Sequence, residues 1–223
     1  PEGLPAVVTV TLAIGMWRMA KNKAIVKKLA AVETLGSTTV ICSDKTGTLT
    51  LNQMTARAGW YGGSRFTVSG QGYWPEGEIA WEGGEDVDPE PFLLPLSLCT
   101  ESRVNNGKLV GDPTEGALYV LSQKGGLRPE EEQNRRPRLG EIPFDSAHKF
   151  MATFHRAGDR VDMFVKGAPD VLLARSSHLL SASGPRVLDE KARAEVAALN
   201  EQLGRQALRV LAVASRSLPA DEF

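Results

Sequence analysis

Cysteine, histidine and aromatic residues are scarce in this 223-residue chain: two cysteines, three histidines and 6% aromatics. Cys42 and Cys99 stand far apart in apolar surroundings, which excludes a disulfide scaffold or a thiolate metal site and favours a reducing, cytosolic setting. Neither sign of charge dominates, with 26 basic residues against 27 acidic, so no electrostatic case for a nucleic-acid partner arises. No apolar run reaches the ~20 residues of a membrane span, and there is no signal peptide and no internal repeat. The phosphate-binding words are missing too. No GxxxxGK followed by Ser or Thr occurs, and no GxGxxG follows a strand, so neither a P-loop nor a dinucleotide turn holds a phosphate here. The length suits one large or two modest domains. The start at Pro1 and the abrupt stop beyond Leu218 suggest a piece of a longer protein.

What is present centres on Cys42–Asn52, CSDKTGTLTLN. The preceding run Thr38–Cys42 is β-branched and uncharged, the pattern of a strand buried on both faces of a parallel sheet. Asp44 then stands at the carboxyl end of that strand, where open α/β sheets place their ligands. Gly47 supplies a turn, Thr46, Thr48 and Thr50 supply hydroxyls, and Lys45 supplies a local positive charge. A carboxylate so placed is a candidate nucleophile for phosphoryl transfer through an aspartyl-phosphate. A bare Asp-x-x-Gly would be an ordinary turn; the full string behind an apolar strand is more specific.

Residues 1–17 are mostly apolar and run into Arg18, Lys21, Lys23, Lys27 and Lys28, the pattern of the cytoplasmic end of a transmembrane helix. Pro1 and Pro5 should interrupt a helix and free carbonyl oxygens beside Glu2, giving hard oxygen ligands for a cation. Helical periodicity is mixed over Ala24–Leu29, and Gly36 is a natural stop. Residues 56–88 are glycine-rich with short strands such as Arg65–Val68 and an acidic loop at 84–88. A buried helix with Pro95 inside it is expected over 91–102, and another from Asp112-Pro113 to Gly125-Gly126. Glu115 sits near the start of the latter, where the helix dipole favours a carboxylate. Residues 127–137 read as a surface loop. Segments 141–154 and 161–173 read as strands with turns at Asp145–His148 and at Gly167. They present Phe144, Lys149 and Lys166 at strand ends, an aromatic ring with two ammonium groups that can stack a base and balance phosphate charge. Gly167 leaves the backbone open to close approach. Asp189 caps a helix with an apolar face at Ala192, Val196, Leu199 and Leu203. Residues 207–218 read as a buried strand, in which Arg209 needs an anionic partner.

The string DKTGTLT resembles the phosphorylation signature of P-type ion-pumping ATPases, and PEGLP (1–5), VETLG (32–36) and NQMT (52–55) resemble words of the calcium-pump branch. GDPTEGAL (111–118), PFDSAHKFM (143–151) and KGAPD (166–170) resemble segments of that family's nucleotide domain. The resemblance implies an α/β (α+β) chain: a nucleotide-binding domain with a mainly antiparallel sheet flanked by helices, inserted in a haloacid-dehalogenase-like phosphorylation domain present only in part. It implies 1–20 as the end of a transmembrane helix, 21–55 as stalk and first phosphorylation segment, and 56–223 as nucleotide-binding domain. ATP would dock on Phe144, Lys149, Lys166, Gly167 and Arg209, with Glu115 near the adenine amino group. Asp44 would accept the γ-phosphate, Mg²⁺ would bridge it to Asp44 and the Thr46 carbonyl, and Thr48 would hydrogen-bond the phosphate. Glu2 would be a ligand of the transported cation, Ca²⁺ before Mn²⁺ or Na⁺, in a multi-pass membrane protein.

Two departures matter. Phosphatases of the haloacid-dehalogenase type carry a second Asp two residues after the nucleophile. Thr46 stands there and cannot serve as general acid or base, so the phosphoenzyme should persist. Pumps of the calcium branch commonly have an Arg two residues after the stacking Phe, where Ser146 stands, which puts one phosphate contact in doubt. The rival readings are a phosphatase or phosphotransferase of the same fold, and a piece that in isolation only binds nucleotide, without efficient self-phosphorylation or transport.

Overall fold

A computed structural model describes residues 3–83, 87–181 and 183–223. Glu2, the expected cation ligand, lies outside the described residues, as do residues 84–86 of the acidic loop. The chain separates into two compact units, 1–51 and 52–223.

In the first unit, α1 (Leu4–Lys21) has Pro5 in its opening turn, where a missing N–H removes no helical hydrogen bond. Pro5 therefore starts the helix instead of breaking it, and the Gly3 carbonyl is already paired with the Val7 N–H at 3.1 Å. Thr9 and Thr11 fold their hydroxyls back on the carbonyls of Pro5 and Val7, each at 2.8 Å. No helix among the described residues is long and apolar enough to cross a membrane. The expected helical turn over Ala24–Leu29 is absent; α2 (Ala30–Gly36) begins one residue later and ends at Gly36 as expected. α1 and α2 touch where Gly15 makes room for the Val32 side chain.

The expected buried strand at Thr38–Cys42 does not form. Residues 38–44 have no regular structure and are exposed, Val40 by 74% and Ile41 by 88%. A strand is held by a ladder to a neighbour, and the described residues of this unit contain no strand to pair with. Cys42 is accordingly exposed, not apolar-packed.

The second unit begins with a three-stranded antiparallel sheet of β1 (Ala58–Tyr61), β2 (Ser64–Val68) and β3 (Ile79–Trp81). α3 (Glu90–Leu98) follows with Pro95 inside it, then a hairpin of β4 (Arg103–Asn105) and β5 (Lys108–Val110). Asn106 and Gly107, with φ of 47° and 70°, make the two-residue turn that matches strand twist. α4 (Pro113–Lys124) is capped by Asp112, whose carboxylate accepts from the N–H groups of Thr114 and Glu115. Residues 129–135 form a helix, α5 (Pro129–Arg135), where a loop was expected. Its sequence has the right polarity: Pro at the start, three glutamates in the first turn and Arg135 in the last. Glu132 is buried and pairs with Arg135 and Arg136.

The main sheet has four antiparallel strands in the order β11-β8-β7-β6: β6 (Arg138–Asp145), β7 (Phe150–Ala157), β8 (Arg160–Gly167) and β11 (Ala212–Pro219). Between β8 and β11 come α6 (Pro169–Arg175), a hairpin of β9 (His178–Ser181) and β10 (Gly184–Val187), and α7 (Glu190–Arg205). Asp189 caps α7 through the Ala192 N–H at 2.8 Å. Leu98 and Cys99 at the end of α3 pack on Met151 and Phe164, which fixes α3 on one face of this sheet. A second cluster of Phe66, Val68, Leu93, Leu96 and Leu121 joins the small sheet to α3 and α4. The result is a mixed α/β unit with antiparallel sheets flanked by helices.

Candidate functional site

One end of the main sheet gathers most of the nucleotide-site candidates. The strand register puts Asp145 opposite Phe150, Phe150 opposite Gly167 and Gly167 opposite Ala212, a row across all four strands. Phe144, Lys149 and Lys166 each adjoin a member of that row, so three candidates spread over residues 144–166 come to one end of the sheet. Phe144 is 63% exposed and Lys149 is exposed, both free to meet a ligand. Asp145 organises the intervening turn by accepting from the N–H groups of Ala147 (2.7 Å) and His148 (3.1 Å). Those backbone bonds hold its carboxyl below the usual carboxylate range. The turn closes with Lys149 at φ 58°, its carbonyl accepting from the Ala168 N–H at 2.9 Å.

Gly167 is required for a reason internal to the protein. A Cβ there would lie 2.5 Å from the Lys149 carbonyl oxygen and 2.6 Å from the Phe150 Cβ. The glycine lets β7 and β8 close together at the site; open approach for a ligand is not what the packing shows.

Lys166 is not a free strand-end cation. It is 7% exposed, and its ammonium group is paired with Glu115 Oε1 from α4. The other oxygen of Glu115 accepts from the Ser102 hydroxyl (2.7 Å), the Glu101 N–H (3.1 Å) and the Thr100 hydroxyl (3.3 Å). Burial pushes the Glu115 carboxyl up, but the Lys166 charge and these hydrogen bonds outweigh it and leave the group below its ordinary value. Nothing in the sequence marked Ser102 or Thr100. Both follow a helix end with no motif of their own, and only the fold brings them onto Glu115.

Arg209 also differs from expectation. It precedes β11 and is exposed, so no burial forces an anion upon it. Its guanidinium donates to the Thr114 hydroxyl at 3.2 Å, one residue from Glu115. Arg209, α4, Glu115 and Lys166 thus form one chain of contacts leading to the sheet end. A cavity of about 500 Å³ in this unit lies elsewhere, lined by Tyr73, Trp74, Tyr119 and Glu130 among others, and includes none of these residues.

In the first unit, Lys45–Thr48 is a type II turn. Thr46 (φ −81°, ψ 122°) and Gly47 (φ 76°, ψ −6°) have its two central geometries, and the second needs a positive φ that glycine supplies. The Asp44 carboxylate accepts from the Thr46 N–H at 3.2 Å and is otherwise exposed, as are Lys45 and Thr48. The Asp44 carboxylate and the Thr46 carbonyl offer hard oxygens of the kind Mg²⁺ takes. Among the described residues no group of three His, Cys, Asp or Glu side chains gathers to hold a metal ion.

Sequence comparison agrees with this architecture. The model of the P-type ATPase cytoplasmic domain N matches residues 92–223. Cation-transporting ATPase pma1 of Synechocystis is 47% identical over 98% of this chain and 25% of its own length. The calcium-transporting ATPase of Bacillus subtilis is 43% identical over 100% of this chain and 26% of its own. Calcium-transporting ATPase lmo0841 of Listeria monocytogenes is 42% identical over 99% and 24%. The chain spans about a quarter of the length of these relatives. With the family model covering more than half the chain and the antiparallel sheet and helices in place, the chain belongs to the P-type ATPase family.

Proposed function

We propose that this chain supplies the ATP site and the phosphorylated aspartate of a membrane pump that moves a cation, Ca²⁺ first among the candidates. The observation that carries the reading is the gathering of Phe144, Lys149 and Lys166 at one sheet end, in the unit whose sequence matches a P-type domain N. The names of the Bacillus subtilis and Listeria relatives support Ca²⁺.

In this reading the exposed Phe144 ring stacks the adenine. Lys149, Lys166 and Arg209 balance phosphate charge. Glu115 holds Lys166 through Oε1, which among the described residues accepts from that ammonium alone and keeps capacity to accept from the adenine amino group. Asp44 attacks the γ-phosphorus: a bond forms from its carboxylate oxygen, the bond to the β–γ bridging oxygen breaks, and ADP leaves with that electron pair. Transfer of this kind depends on positioning and charge neutralisation. Mg²⁺ at the Asp44 carboxylate and the Thr46 carbonyl would supply part of that neutralisation, while Thr48 donates to the phosphate and Lys45 adds positive charge. Thr46 offers no second carboxylate to activate water, so the aspartyl-phosphate lasts long enough to drive transport. Residues 1–20 would end a transmembrane helix, 21–55 would be stalk and phosphorylation segment, and 56–223 the nucleotide domain.

The test uses the complete protein in membranes. Acid-stable phosphoenzyme formed from labelled ATP is followed across Ca²⁺, Mn²⁺ and Na⁺, with Asp44→Asn as control. Label that requires Ca²⁺ and disappears in the control is expected. Label driven by another cation moves the substrate, and cation-independent hydrolysis of simple phosphate esters would point to a phosphatase of this fold. ATP binding tests the pocket separately: Phe144→Ala and Lys166→Glu should each abolish it, and unchanged affinity would place ATP elsewhere.

A further inference from the structure

We infer that Ser102 is a positioning residue of the nucleotide site, acting on Lys166 through Glu115; the inference rests on the nucleotide-site reading above. Ser102 is 1% exposed, and its hydroxyl is held at both ends. It accepts from the Asp112 N–H at 2.9 Å and lies 2.7 Å from Glu115 Oε2. An ionised carboxylate only accepts, so the single hydroxyl proton goes to Glu115 and the donor direction is fixed. The space for this hydroxyl is kept open by Gly111, at φ 124°, where a Cβ would fall 2.1 Å from Ser102 Oγ.

The neighbouring bonds narrow the arrangement further. Thr100 Oγ1 accepts from the Ser102 N–H at 3.1 Å, which turns the Thr100 proton towards Glu115 Oε2. With the Glu101 N–H, three donors from one short loop converge on Oε2. The carboxylate cannot rotate without losing them, so Oε1 stays aimed at the Lys166 ammonium. Asp112 completes the frame: its N–H is tied to Ser102 while its carboxylate caps the helix that carries Glu115. Ser102 thus joins the α3–β4 loop, the start of α4 and the lysine of β8. It reaches Lys166 only through Glu115.

The test is amine labelling of Lys166 in the full chain. A small acylating reagent, acetic anhydride, is followed by peptide mapping from pH 7 to 10, in parallel with Mg·ATP titration. In Ser102→Ala, Lys166 should label about tenfold faster at a given pH and Mg·ATP should bind about tenfold more weakly, the size of one charge-assisted hydrogen bond. In Glu115→Gln the lysine should label faster still, and adding Ser102→Ala should then change the rate by less than about twofold. Equal labelling of Lys166 with and without the hydroxyl would overturn the inference. So would a tenfold increase that persists in the Glu115→Gln background, since that marks a general packing defect. If the unaltered chain binds no Mg·ATP, the nucleotide-site reading fails on its own, and the labelling comparison still decides what Ser102 does to Lys166. Ser102→Cys keeps the shape with a much weaker donor and carries the same comparison if Ser102→Ala does not fold.

Discussion

Replacing Lys166 by Met is the sharpest probe of how this unit is held together. The Lys166 and Glu115 side chains are 8% and 13% exposed, so solvent screens their attraction little. Breaking a buried pair by removing one partner typically costs about 3–5 kcal/mol, because the other charge is left unpaired. Here Glu115 Oε2 keeps its three donors from Thr100, Glu101 and Ser102, which places the cost of Lys166→Met at the lower end, about 3 kcal/mol. Glu115→Gln leaves a buried ammonium instead and should cost about as much. Removing both charges in one protein leaves no orphan ion, so the double variant should fall within about 1 kcal/mol of the original. Urea unfolding followed by tryptophan fluorescence measures all four proteins, since Trp81 packs on the core at Phe66. The pair also predicts a pH dependence. The Glu115 carboxyl is lowered in the fold, so its contribution is present above the ordinary value of 4.5 and is lost as pH falls through the folded value. The double variant should lack that acid limb. A Lys166→Met cost under about 0.5 kcal/mol, or a double variant as unstable as the two singles added, would refute the reasoning.

Three further outcomes are expected. His155 is buried, and its Nδ1–H donates to the Arg136 carbonyl at 2.9 Å while Nε2 has no partner among the described residues. Burial above all holds its pKa below 6.5, so it adds no pH dependence above that value and the fold loses stability as pH drops beneath it; NMR titration of the ring should show it still neutral below pH 6.5. Gly167→Ala places a methyl 2.5 Å from the Lys149 carbonyl and should cost about 1–3 kcal/mol, with Mg·ATP affinity lost as the Lys149 turn shifts. Leu93 is fully buried among Phe66, Leu96 and Leu121, and Leu93→Ala should cost about 2–5 kcal/mol in urea unfolding without altering the Lys166 labelling profile.

Elements signalled by local chemistry were legible in the sequence. Asp112-Pro113 and Asp189 cap α4 and α7 because an Asx oxygen satisfies free N–H groups whatever surrounds it. The β7–β8 pair could be read from alternation, and the Asp145 turn from its side chain. Residues 129–135 went the other way. Their charge and proline suggest a surface loop, yet Glu132 finds Arg135 and Arg136 one turn away and turns inward as a helix. The run Thr38–Cys42 failed for the opposite reason. Its composition describes a buried strand, but a strand's stability is held by its neighbours, and the described residues of its unit provide none.

The candidate site divides along the same line. Phe144 and Lys149, an aromatic and a cation flanking a turn, have little internal work to do, and both are exposed at the strand ends where the sequence put them. Lys166 was singled out with them as a strand-end cation, and Arg209 on the argument that a charge in a strand needs an anion. Lys166 is instead buried and already matched by Glu115, 51 residues earlier and on another element. For Arg209 the premise fails, since it precedes the strand and stays exposed. Spacing along the chain cannot say whether a charge is satisfied from within or waits for a ligand. That depends on long-range pairing, and here the pairing recruits Thr100 and Ser102, which carry no motif. In the proposed reading Lys166 turns its ammonium to a nucleotide phosphate while Glu115 still holds it, so its contribution to ATP affinity depends on how firmly Glu115 is placed. On that reading the hydroxyls behind Glu115 belong to the site's energetics as much as the lysine in front of it.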